Sequence, residues 1–139
     1  MRLLVAACKR AGIFAMLALL QFSQVSAQQQ SIQDGVYTAA QAETGKILYD
    51  ENCQHCHDLT FYTNKLQSFA GMTLLDFWYA MLRKMPADNP GSLGDSQYLE
   101  IIAFVLSQNG YPAGDAELVP SNQLGRIRVP SLSATQSER

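Results

Sequence analysis

The apolar positions along the chain recur at helical spacing. Ala42, Gly45, Leu48 and Tyr49 fall on one face, and so do Tyr98, Ile101, Ile102 and Val105 at i, i+3, i+4 and i+7. Leu74, Leu75, Phe77, Trp78, Met81 and Leu82 supply the apolar surface of another segment. The punctuation agrees with this period. Thr38-Ala39-Ala40-Gln41 is a capping-box pattern and predicts a helix over 39–52. Thr73-Leu74-Leu75-Asp76 opens a second helix, 74–84, which Pro86 stops. Asp95 caps a last helix, 96–109, ended by Asn109-Gly110 and Pro112. Residues 58–72 show little period and read mainly as loop with a short helical piece. No alternating stretch is long enough for a sheet, so the pattern predicts an all-α fold.

The front of the chain follows a different pattern. Arg2, Lys9 and Arg10 precede the uncharged apolar stretch Ala11–Leu20, and Val25-Ser26-Ala27 places small residues where a signal peptidase reads. Residues 1–27 are therefore expected to be a secretory signal. Ten apolar residues are short for a retained anchor, and Cys8 stands before the apolar stretch, which rules against lipidation there. A loose lead-in, 28–37, a domain over 38–120 and a tail over 121–139 with a disordered end complete the expected organisation. Residues 113–129 are expected to lie on the body.

Composition changes the picture in two ways. The formal net charge is -2 over 139 residues, and losing Arg2, Lys9 and Arg10 with the signal takes it to -5. That balance argues against a nucleic-acid-binding surface, and no stretch left after signal cleavage is long and apolar enough for a stable membrane span. Of three cysteines, only Cys53 and Cys56 would remain, in an oxidising compartment outside the cytoplasmic membrane.

These two thiols belong to Cys53-Gln54-His55-Cys56-His57, the C-x-x-C-H signal for attachment of c-type haem. Each thiol can add to a haem vinyl group, giving two thioether bonds. The histidine after the second thiol can then place an imidazole nitrogen on the iron. About one random chain in a thousand of this length would carry the motif. A thioredoxin-like site would want a βαβ surround, which the pattern lacks. Zinc would need four ligands, and the soft candidates Cys53, His55, Cys56 and His57 crowd into five residues. A plain Cys53–Cys56 disulfide is the third alternative. His55 reads as a solvated loop residue, so the other axial position falls to a methionine, a lysine, water or nothing. Met85, opening an irregular loop before Pro86, is the first choice. Met81 reads as core filler, Met72 precedes a helix cap, and an open site is the remaining option.

Helix, C-x-x-C-H, a Met-Pro loop and a final helix together resemble class I cytochrome c. The sequence is most similar to the small single-haem cytochromes associated with bacterial quinoprotein alcohol dehydrogenases. Gly35-Val36-Tyr37-Thr38, Gln41, Gly45, Tyr49, the Cys53–His57 motif, Gly71, Met85-Pro86, Pro90-Gly91-Ser92-Leu93, Tyr98, Ala103-Phe104 and Asn109–Gly114 carry the likeness, over about residues 34–120. It implies one covalent haem c on Cys53 and Cys56, His57 as proximal and Met85 as distal ligand. It also implies a periplasmic electron carrier, not an enzyme, whose partners are redox proteins such as a dehydrogenase and an oxidase or another cytochrome. The alternatives are a haem enzyme or gas-binding protein with an open sixth site, and a permanent haem subunit of a dehydrogenase complex. The family crosses its first and last helices, with the haem enclosed by loops and a middle helix. Gly45 is then expected to touch Phe104, since a mid-helix glycine costs roughly 1 kcal/mol against alanine unless something needs the space. One departure concerns the proximal side: many class I cytochromes have a proline soon after the motif, but no proline lies between His57 and Pro86. The carbonyl that would orient His57 is thus undefined. Trp78 and Tyr62 read as core aromatics that could also line the haem. Lys65, Arg83 and Lys84 read as a solvated face that could also serve docking.

Overall fold

The computed structural model describes residues 29–131, so the expected signal over 1–27, Cys8 and residues 132–139 of the tail lie outside the described residues. Four helices dominate: α1 (Ala39–Asn52), α2 (Leu59–Gln67), α3 (Leu74–Lys84) and α4 (Asp95–Gln108). Among the described residues, no helix is long and apolar enough to cross a membrane.

α4 is the centre of the core. Leu99, Ile101, Ile102, Ala103, Val105 and Leu106 are fully buried. At about 1.5–3 kcal/mol for each large aliphatic side chain withdrawn from water, this one helix outweighs any cap or surface ion pair in the molecule. α1 crosses it as its main partner, and α2 and α3 pack around it. The crossing is made at Gly45, where an added Cβ would overlap the Glu100 carbonyl and lie 3.1 Å from Ile101 N. The atoms nearest Gly45 are therefore backbone of α4. The Phe104 ring, expected against Gly45, packs on Tyr49, with ring centroids 5.2 Å apart.

The helix bounds follow local chemistry. The Thr38 hydroxyl accepts from Gln41 N–H at 3.2 Å, capping α1. At α3 the full box forms: Thr73 Oγ1 accepts from Asp76 N–H, and Asp76 Oδ2 accepts from Thr73 N–H at 2.9 Å. The Thr73 hydroxyl, donating to Asp76 Oδ2 at 2.6 Å, and then the Thr73 N–H bond hold the Asp76 carboxyl below the usual carboxylate range. α4 starts one residue earlier than its pattern implies, because Gly94 is the N-cap and Gln97 Oε1 accepts from its N–H at 2.8 Å.

Three features differ from the sequence reading. Residues 59–67 form a nine-residue helix where mostly loop was expected. A two-residue parallel ladder exists, β1 (Gln30–Ser31) against β2 (Ile127–Arg128), with Gln30 opposite Ile127. The lead-in is therefore held, not loose, and Ile32 and Tyr37 are buried. The segment after α4 does lie on the body: Leu118, Leu124, Ile127 and Val129 are buried.

Gln41 explains how that segment is pinned. Its side chain does not close the capping box. It is 7% exposed, donates to Leu118 O at 2.8 Å and accepts from Leu118 N–H at 2.9 Å. Gln41→Leu removes the partner of both backbone groups of Leu118, so it should cost about 1–3 kcal/mol. It should also release the tail selectively. Hydrogen exchange is the check: Leu118 N–H should lose protection while Ile101 and Ile102 keep theirs.

Candidate functional site

The end of α1 delivers the motif. Cys53 is the helix C-cap, its N–H bonded to Tyr49 O at 2.9 Å. The chain then turns tightly, with Cys56 N–H and His57 N–H both donating to Cys53 O at 3.1 Å. The Tyr49 hydroxyl closes the turn by donating to His57 O at 2.5 Å. Two thiols and an imidazole thus share one rigid loop. Cys53 and Cys56 are separate free thiols, the first buried and the second exposed. Burial pushes the Cys53 thiol up, and a bond from the Tyr62 hydroxyl partly offsets this. Burial likewise raises the Tyr62 hydroxyl, with the Cys53 charge adding to it.

The His57 ring is oriented by aromatic neighbours. Phe61 stacks on it at 4.2 Å, and Tyr62 meets it edge-on at 5.8 Å. Among the described residues no hydrogen bond to an imidazole nitrogen is present, so ring packing stands where the missing proline left a question. His55 is exposed at the rim of the same loop.

Met85 approaches from the other side. It caps α3, its N–H bonded to Met81 O at 2.8 Å, and its peptide bond to Pro86 is cis. Its carbonyl accepts twice, from the Tyr98 hydroxyl at 2.6 Å and from Gly91 N–H at 3.2 Å. Both faces of the Met85 peptide are therefore tied to neighbouring elements.

The two loops enclose one cavity of about 440 Å³, lined by Cys53, Cys56, His57, Met85 and Pro86, with Glu51 and Asp88 also on its wall. That volume suits a cofactor-sized ligand. A second, smaller cavity of about 90 Å³ shares Met85 and runs between α2 and α3, walled by Phe61, Tyr62, Phe69, Phe77 and Met81. The methionines separate accordingly. Met85 lines the cavity with the motif, Met81 is buried on the second cavity, and Met72, 43% exposed, lines neither.

The donor set restricts what could be held here. Among the described residues no three His, Cys, Asp or Glu side chains group to bind a metal ion. A porphyrin brings four nitrogens of its own, so the polypeptide need supply only axial donors and anchors. Two thiols, one imidazole and one thioether on one cavity fit a covalently attached haem in kind and number. Trp78 is buried with its indole N–H unpartnered among the described residues, and Tyr62 reaches the second cavity.

Tyr49 and Tyr98 stand among the residues that carry the likeness, but the sequence assigned neither a role. Both read as apolar positions on helical faces, and each acts through a hydroxyl on a backbone carbonyl, which no residue spacing reveals. No protein-family model, curated protein or solved structure matches this chain.

Proposed function

We propose that this chain is a single-haem c-type cytochrome of class I fold, exported to the bacterial periplasm, that carries one electron between redox proteins. The observation that supports it most is the common cavity on which Cys53, Cys56 and His57 from one loop and Met85 from another converge. On this reading Cys53 and Cys56 would hold haem c through thioether bonds, and His57 and Met85 would hold its iron. When bound, the haem supplies one reversible electron as its iron alternates between ferrous and ferric states, and a His/Met pair raises the reduction potential.

The chain's own residues keep both ligands in place. Tyr49 fixes the His57 carbonyl, and Phe61 and Tyr62 fix its ring. Tyr98, Met81 and Gly91 fix the backbone of Met85. A site held this way changes little in geometry between redox states, which favours transfer over bond chemistry on a substrate. Donor and acceptor are a dehydrogenase and an oxidase or another cytochrome, met through a small, transient interface.

The test is the chain produced where haem attachment machinery is present. It is expected to carry one haem through two thioethers, and its reduced optical spectrum is expected to ignore carbon monoxide. A colourless product at the mass of the bare polypeptide overturns the proposal. Rapid carbon monoxide binding by the reduced protein would instead select the open-site reading.

A further inference from the structure

The two cavities that meet at Met85 differ in charge. The one carrying the thiols has Glu51 and Asp88 on its wall and no lysine or arginine. The one between α2 and α3 has Lys65 and Lys84 and no carboxylate. Lys65 is folded onto the aromatic wall, its Nζ 5.7 Å from the Phe69 ring centroid. Among the described residues the ion pair found is Lys46–Asp50, so neither Lys65 nor Lys84 has a carboxylate within salt-bridge reach. Arg83, next to Lys84 in sequence, sits over Tyr79, 5.6 Å from its ring centroid. Both lysines are exposed on the rim of this small apolar cavity, where they can receive an anion.

We propose that Lys65 and Lys84 are the counter-cations of the porphyrin's two carboxylates, whose edge of the ring enters between α2 and α3. This rests on the haem reading above. The vinyl and carboxylate substituents lie on opposite edges of a haem. Cys53 and Cys56 take the vinyl edge, so the carboxylates point away from the thiols. On the Glu51 and Asp88 side they would meet like charge. Beyond Met85 they meet two lysines, with Phe61, Phe69 and Phe77 to cover the ring.

The experiment uses the haem-loaded protein and its variants Lys65→Gln/Lys84→Gln, Lys65→Arg/Lys84→Arg and Arg83→Gln. Redox-induced infrared difference spectra, with the haem carboxylates isotope-labelled, read the carboxylate bands directly, and the midpoint potential is measured alongside. The double glutamine variant is expected to shift those bands. It is also expected to lower the potential further than Arg83→Gln does, because losing cations beside the ring favours the ferric state. The arginine pair should restore both. Unmoved bands, with a potential change no larger than that of Arg83→Gln, overturn the assignment while leaving haem attachment intact. A colourless wild-type product overturns it together with the reading on which it rests.

Discussion

Replacing Gly45 by alanine is expected to unfold the protein at markedly lower temperature, by roughly 10 °C or more, for a loss of about 3 kcal/mol. Helix propensity alone predicts the opposite sign, since alanine gains about 1 kcal/mol over glycine inside a helix. The geometry decides against propensity. The new methyl would overlap the Glu100 carbonyl of α4, and the obstacle is backbone, which cannot rotate away as a side chain can. The α1–α4 crossing must open, and it carries the most extensive helix packing among the described residues. Gly125→Ala is the control, because a Cβ there would meet only Leu75 Cδ2 at an ordinary 3.5 Å. Thermal melts of the two variants should separate widely. Equal melting temperatures would mean that α1 and α4 do not cross as closely as described.

How far such features could be read from sequence depends on whether their cause is local. α1 and α3 were legible end to end because Thr38, Thr73 and Pro86 act on the turns beside them. α2 was obscured because Leu59, Tyr62 and Leu66 are interrupted by Thr60, Thr63 and Asn64, and because Leu59 and Phe61 remain partly exposed. The β1–β2 ladder has two residues per strand, too few to show alternation. The docking of the tail depends on Gln41 and Leu118, 77 positions apart, and leaves no local pattern. The candidate site divides in the same way. The C-x-x-C-H cluster is legible because attachment chemistry needs its groups within five residues. Met85 could be ranked first but not placed, since it ends α3 while the loop it faces is delivered by α1, far away in sequence.

The largest chemical effect is expected from Met85→Ala. If Met85 is the second axial donor, its removal leaves one face of the iron open to an external ligand. Carbon monoxide should then bind the reduced variant rapidly and stoichiometrically, and the midpoint potential should fall, because a thioether favours the ferrous state. Tyr98→Phe should give an intermediate result. It keeps the thioether but deletes the hydroxyl bond to Met85 O, while the Gly91 N–H bond remains. A net bond of about 0.5–1.5 kcal/mol corresponds to an open population raised by up to about tenfold, and carbon monoxide association should quicken by that factor. Met81→Leu, a volume-conserving change in the core, should cost less than about 1.5 kcal/mol and leave carbon monoxide excluded. The expected order of association rates is therefore Met81→Leu equal to wild type, then Tyr98→Phe, then Met85→Ala. If Met85→Ala excluded carbon monoxide as wild type does, another group would hold the iron. If Met81→Leu opened it instead, the ligand would lie on the second cavity, and the roles of the two methionines would have to be exchanged.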